Sequence, residues 1–427
     1  MRARSFALVI ALPAAALAQV EPDGNDLRPS ASSGVLPARG RFERVGRPRG
    51  ALRRTCDLTP FGGALYLAQA NTPLGSDGAR VLRYAPGRAP FSMAFDWNRP
   101  GEPTRGGGGG QGFLRVRALE GRLAVPDADP PYGGLNAVDP GTEGYVFLSD
   151  RQGRFEPPRM PGHRLPRVAD LARDRAGVAV LPRAYHVIDV IRWRGRWIAS
   201  TGSVPPGERA WRGSAPGALH VGDVRAARWT FARAYPERAH GDAWRLTYLT
   251  RFRGRLYAGL QDYEGREPHD LVVFDAAPDA APDAWTQRAL RVTPQGGAHT
   301  LRWFVDQGRL WWITLERDGR GHVRYTDDGD AWRELALGIG VGAPTDLLRW
   351  RGALVLLTEQ GLFRVEGEHV RRVAPPPTMS VLARGRRREV SHFVRDDLFC
   401  ASPLAVFRDE LYAASQRDGS LWRLVAE

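Results

Sequence analysis

The feature that most restricts what this chain can become is a short segment that recurs seven times. Its fullest copy is Arg251-Phe252-Arg253-Gly254-Arg255-Leu256-Tyr257-Ala258-Gly259. Other copies turn at Gly63, Gly121, Gly195, Gly308, Gly352 and Asp409. Two positions after the turn the residue is leucine in every copy but one, where Trp197 stands. Two positions before it stand Phe61, Leu119, Trp193, Phe252, Asp306, Trp350 and Phe407, mostly aromatic. Apolar, turn, apolar at this spacing reads as strand, tight turn, strand. Successive turns lie 58, 74, 59, 54, 44 and 57 residues apart, and periods near 50 belong to propellers or arrays rather than to one closed core.

Each unit continues alike. A second strand such as Leu354-Val355-Leu356-Leu357 is apolar on both faces, as when sheets stack on both sides. Third strands follow, at Val81–Tyr84, Tyr145–Leu148, Leu271–Phe274, His322–Tyr325 and Leu362–Val365, then outer ones at Trp229–Ala232, Trp332–Leu335 and Val370–Val373. Four strands in each of seven units predict an all-β, seven-bladed β-propeller over 41–427. The last unit stops at its third strand, Leu421–Val425, while Arg41–Val45 reads as an outer strand with no blade of its own. The N-terminal strand is therefore expected to complete the last blade, so that no end blade keeps an exposed face. Cys56 and Cys400 then lie in neighbouring blades, and a disulfide between them would close a loop of 344 residues. The loop-entropy model assigns such a bond roughly 5–6 kcal/mol as an upper figure.

Ahead of the repeats, Arg2 and Arg4 precede an apolar run from Ser5 to Leu12 and a small-residue stretch, Ala16-Leu17-Ala18. This predicts a signal peptide over 1–18, cleaved after Ala18, hence a secreted or periplasmic protein. Residues 19–40 are rich in Pro, Ser, Gly and Asp and read as a disordered linker. No other stretch is long and apolar enough to span a membrane. The formal charge is +14, or +12 once Arg2 and Arg4 are removed with no acid lost, and every basic residue is arginine. The arginines are dispersed, apart from Arg384, Arg386, Arg387 and Arg388. Dispersed charge is usually a solvated face, and abundant Arg, Ala, Gly and Pro without Lys fits a GC-rich genome. Nucleic acid is accordingly disfavoured as a partner, and a monomer is expected.

In a meander the loops alternate ends. The seven short turns share one face, while blade-to-blade connections and the loops between second and third strands share the other, where variable loops concentrate function. That face collects His186 and Asp189, His240, Asp242 and Arg245, His299 and Arg302, Asp346, and His392 and Arg395 ahead of the inner strands. His186, Arg245 and His299 stand nine residues before the turn in three consecutive blades and are expected at one level of the channel. Asp127, Asp129, Ser200, Thr201, Ser203, Gln261, Asp262, Glu264 and Glu316 come from the loops between second and third strands. Two inserted segments, one from Asp127 and one over 160–185, adjoin them. The ligand contacts favoured are His186, Asp189, Arg245, His299 and Arg302, with Asp127, Asp129, Asp262 and Glu264 at the rim. No spacing here is diagnostic of a metal, and no cofactor is predicted. The run Gly106–Gly110 lacks the following Lys-Ser/Thr and helix of a phosphate loop.

Tyr325-Thr326-Asp327-Asp328-Gly329-Asp330-Ala331-Trp332 resembles the Asp box of sialidase-type propellers, a turn between third and fourth strands. Asp327, Gly329 and Trp332 match, while Tyr325 and Ala331 replace the usual Ser and Thr. Ser149–Phe155 is a weaker echo. The resemblance implies fold and not activity, since the box lies away from the active face and the arginine triad with its Arg-Ile-Pro signature is missing. Three readings follow for the long-loop face: binding of a polar or anionic ligand such as a glycan or peptide, a glycoside hydrolase or polysaccharide lyase with its catalytic residue unassigned, or a docking surface around an unused channel.

Overall fold

The computed structural model describes residues 34–70, 79–97, 112–128, 143–155, 177–203, 206–207, 216–223, 228–235, 244–262, 265–395 and 398–427. The expected signal peptide, Asp129, His240, Asp242, Glu264 and the run Gly106–Gly110 lie outside these.

Seven four-stranded antiparallel sheets form the blades of a β-propeller. Their inner strands are Arg54–Phe61, Arg117–Leu119, Ala184–Trp193, Trp244–Phe252, His299–Asp306, Pro344–Trp350 and Leu404–Phe407. The second strands carry the apolar runs and are buried throughout, as in Ala64–Ala70 and Ala353–Thr358. Outer strands such as Thr286–Leu290 and His369–Ala374 mix exposed with half-buried or buried positions, because one face meets water. Burying a Leu, Val or Phe side chain in this way contributes about 1.5–3 kcal/mol. Segment 160–185, expected as a loop, in fact ends in the outer strand of blade two, Val178–Pro182. The only helical element among the described residues is one 3₁₀ turn, Pro282–Ala284, and no helix there is long and apolar enough to cross a membrane.

The repeated turn has one geometry. Both central residues have positive φ in all seven copies, between 47° and 53° at the first and between 64° and 78° at the second. This is the turn whose twist matches a two-residue hairpin. Indoles from two of the preceding positions tie each turn to the next blade: Trp193 Nε1 donates to the Gly254 carbonyl (2.9 Å) and Trp350 Nε1 to that of Asp409 (3.1 Å). Arg408 reaches the Gly63 carbonyl (3.3 Å) and completes the circuit from blade seven to blade one.

The ring closes as the repeat count demands. Gly40–Gly46 pairs antiparallel with Leu421–Ala426, from Gly40 opposite Ala426 to Gly46 opposite Leu421. Cys56 and Cys400 form a disulfide with Cα atoms 4.8 Å apart, buried between blades one and seven. One element lies outside the repeat: a two-stranded hairpin, Thr378–Ala383 with Arg386–Ser391, inserted between blades six and seven.

Candidate functional site at the channel mouth

The inner strands break their ladder at a constant register. The pairing of first with second strand shifts between Thr55 and Asp57, Tyr185 and Asp189, Leu246 and Leu249, Thr300 and Arg302, and Pro344 and Asp346. Such bulges re-aim side chains. The residues six before the turn, Asp57, Arg115, Asp189, Tyr248, Arg302 and Asp346, are at most 4% exposed.

These residues fill the axis. Arg117 forms a two-point ion pair with Asp189 (Nη2–Oδ2 2.6 Å, Nε–Oδ1 2.9 Å), the planar fork match that favours arginine. Arg115 faces Asp57 (3.5 Å) and lies over the Tyr248 ring (4.2 Å), and Arg302 faces Asp346 (3.6 Å). Burial and the neighbouring Arg302 guanidinium lower the Arg115 pKa. Three carboxylates also clamp adjoining blades through backbone amides: Asp57 accepts from Val116 (3.1 Å), Asp189 from Leu249 (2.9 Å) and Asp346 from Leu404 (2.6 Å). Across the axis, Arg302 donates to the Cys56 carbonyl and Tyr248 to that of Phe399. A buried charge needs such pairing to be tolerable, so this tier is architecture.

The expected contact residues therefore divide. Asp189 and Arg302 belong to the filled axis, and Asp127, expected at the rim, is fully buried. His186 and Arg245 do meet at one level. Arg245 Nη2 donates to His186 Nε2 (2.6 Å), while His186 Nδ1 donates to the Ala128 carbonyl (3.0 Å). Both are buried, at 2% and 3% exposure, and His186 holds a positive φ of 53°. A non-glycine residue is uncommon there; its ring links the loop of blade two to Arg245 of blade four. Ser200, Thr201, Ser203 and Gln261 are buried as well. Asp262 caps its own loop, accepting from the amides of Arg266 and Glu267. His392 is buried against Ser415 Oγ (2.9 Å) and the Trp422 ring.

The third member of the register, His299, is only partly buried. Burial lowers its pKa to about 4; Asp262 opposes this, and Arg395 and Arg317 reinforce it. Arg395 and Arg417 in turn act on Glu359, whose carboxyl is pushed up by burial. Arg395, Arg417, Glu359 and Phe399 are partly exposed and Arg317 is exposed. Hence the accessible mouth is a group of arginines from the edges of blades five and seven, a neutral imidazole, and one acid. Among the described residues no cluster of His, Cys, Asp or Glu could hold a metal. Beside the mouth, a second group escaped the sequence reading. Glu267, 3% exposed, accepts from its own neighbour His269 (2.7 Å) and from the Tyr235 hydroxyl (3.3 Å). Its only sequence signal is the Glu-Pro-His spacing, which any loop could contain.

No family model matches this chain, and no curated protein does. Solved structures resemble it in fold. The extracellular domain of a candidate one-component system from B. thetaiotaomicron superposes with a TM-score of 0.50 at 11% identity, over 90% of this chain and 42% of that one. Virginiamycin B lyase from Staphylococcus aureus gives 0.47 at 9% identity over 91% and 100% of the two chains. An α-L-arabinanase from Penicillium chrysogenum gives 0.36 at 11%, over 73% and 92%. This chain thus spans less than half the length of the first of these. Identities this low speak to the β-propeller fold alone.

Proposed function

We propose that this protein is an extracytoplasmic propeller that binds an anionic polar ligand, an acidic glycan or peptide, at the channel mouth. The observation that supports it best is the convergence of Arg317, Arg395 and Arg417 on His299 and Glu359 at the accessible end of an otherwise filled axis. Guanidinium groups present forked donors suited to carboxylate, sulfate or phosphate. A neutral imidazole adds a donor or an acceptor without competing for the anion's charge. Burial at Asp127, Asp189, Arg302, His186 and Arg245 assigns those groups to shaping the mouth. The buried disulfide favours an oxidising compartment, consistent with a signal peptide over 1–18 and a linker over 19–40. Kinship with the sialidase-like propellers rests on the resemblance of Tyr325–Trp332 alone, since Asp328, and not the matching Asp327, accepts from the amides of Asp330 and Ala331.

The test is a screen of acidic and neutral oligosaccharides and acidic peptides against wild type and an Arg395→Ala/His299→Ala double variant. A tenfold or greater loss of affinity for the acidic ligand, at unchanged melting temperature, is the expected result. Affinity indifferent to both substitutions would overturn the assignment. A second reading, a hydrolase or lyase, is favoured by the Glu267–His269 pair. The carboxylate holds one imidazole nitrogen (2.7 Å) and the ring is partly exposed, an arrangement a general base requires. Turnover of an acidic polysaccharide that His269→Gln abolishes while binding persists would select it.

A further inference from the structure

The inserted hairpin between blades six and seven has no part in the ring. Its strands pair with each other and with no blade. Met379 faces Val390, Val381 faces Arg388, Leu382 faces Arg387 and Ala383 faces Arg386 across the ladder. Arg384 and Gly385 close it with positive φ of 52° and 74°, the same turn as in the blades. Here, however, the hairpin is rooted at the opposite end of the blades from their turns. The preceding outer strand, His369–Ala374, ends beside the start of the third strand, with Ala374 opposite Leu362, so the chain leaves blade six on the long-loop face. The base of the hairpin is fixed there by the His392 amide on the Pro377 carbonyl (2.9 Å) and by the His392 ring on Ser415, two residues from Arg417.

The tip is unusual in chemistry. Arg384, Arg386, Arg387 and Arg388 are all exposed, and none of their guanidinium groups has an ion-pair or hydrogen-bond partner among the described residues. Elsewhere arginines commonly face acids, as Arg349 does Asp306 (2.6 Å) and Arg324 does Glu316 (2.8 Å). The only acid in the hairpin is Glu389, on the second strand. Because cross-strand partners share a face, the charge sleeves both sides of the tip. Within it stands Leu382, 75% exposed, one of few large apolar side chains so placed among the described residues. Residues 378–391 include no aromatic side chain to stack on a base or a sugar ring, and no Asn or Gln to read hydroxyl or base edges. Arginine with an exposed aliphatic residue, on a self-paired projection, matches the anionic headgroup layer of a bilayer: guanidinium on lipid phosphate, leucine at the acyl boundary.

We propose that this hairpin is a membrane-surface arm that docks the protein on anionic phospholipid. Docking through it turns the channel mouth toward the bilayer, since both lie on one face. The proposal does not depend on what the mouth binds.

The experiment is flotation of the full chain with vesicles of phosphatidylcholine mixed with phosphatidylglycerol, and with vesicles of phosphatidylcholine alone. Binding is expected to the mixed vesicles only and to weaken with salt. Replacing Arg384, Arg386, Arg387 and Arg388 together by Ser is expected to reduce partitioning on the order of a thousandfold, the combined effect of four charges near the surface. Leu382→Ser is expected to give a several-fold loss that high salt does not mask. A control variant takes the same charge from scattered exposed positions, Arg47, Arg49, Arg88 and Arg253, each to Ser, and should float like wild type. An intact disulfide by non-reducing mass spectrometry and an unchanged melting temperature establish that each variant is folded. Equal flotation of wild type and the hairpin variant would overturn the proposal, as would equal losses in the hairpin and control variants. So would hairpin-dependent binding of heparin or duplex DNA by a chain that ignores the vesicles.

Discussion

Two tiers of charged side chains share the axis of this propeller and do opposite work. In the inner tier, Asp57, Arg115, Arg117, Asp189, Arg302 and Asp346 are almost wholly withdrawn from water, paired across blades and tied to backbone amides. At the mouth, Arg317, Arg395, Arg417, His299 and Glu359 keep some exposure and press on one another electrostatically. Residue type does not separate the tiers, since both are arginine and acid. Depth does. A few residues nearer the plain face, desolvation forces every charge to find a fixed partner. Nearer the long loops, the side chains keep part of their surface in water, which relaxes that demand.

The comparison can be broken most directly by substitution in each tier. Asp189→Ala leaves Arg117 buried without its carboxylate and frees the Leu249 amide, so we expect a loss of about 3–5 kcal/mol in urea unfolding. A loss much below that would mean that water reaches the axis. Removing the clasp beside the same tier, with Cys56→Ser and Cys400→Ser together, should cost about 2–5 kcal/mol. Reductant should reproduce that loss in wild type and leave the double variant unmoved.

Acid should strike next. His220 is fully buried and its pKa is lowered to about 4 by burial, against the opposing hydrogen bond to the Pro182 carbonyl. His299 is lowered similarly at the mouth. A base whose folded pKa is depressed takes up its proton only in the unfolded chain between about 4 and its ordinary 6.5. Stability should therefore fall as pH drops through that window and flatten below it. For His220 alone the loss is up to about 3 kcal/mol. Histidine titration by NMR sharpens the contrast, because Arg395→Ala should raise the His299 pKa and leave that of His220 unmoved. The smallest effect on stability belongs to the mouth itself. Arg395→Ala should change unfolding by no more than about 0.5 kcal/mol, as is usual for substitutions at partly exposed surface positions. A larger change would place Arg395 in the inner tier.

The repeat made the fold legible. The seven turns, the second strands and the strand near Arg41 all stand where spacing and periodicity put them. So does the bond between Cys56 and Cys400, which follows once the ring closes. The hairpin at 378–391 was visible only as an arginine cluster, because one extra pair of strands has no repeat to reveal it. The site was legible in part. Counting nine residues back from each turn finds His186 and Arg245, which do meet, and His299, whose charged neighbours are Asp262, Arg395 and Arg317. Counting back six finds a charged residue in five blades, Asp57, Arg115, Asp189, Arg302 and Asp346, with Tyr248 and Pro403 in the other two. The likeness of Tyr325–Trp332 to an Asp box located the turn, but not its mechanics. Asp328 and Thr326 hold the turn, whereas Asp327 faces outward to Arg309 and Arg333. Adjacent carboxylates look alike in sequence and are separated by a single backbone rotation.

What the amino-acid order determined by itself is the blade. Alternation, a two-residue turn and an apolar second strand are local properties, repeated often enough to count, and their number closes the ring. Which charges are spent on that ring and which remain for a ligand was decided only in three dimensions. The partners of Asp189 include Arg117 and Leu249, 72 and 60 residues away, and those of Arg302 include Cys56, 246 residues away. Desolvation is set by what closes over a group from other blades, and no window of sequence around the group contains that.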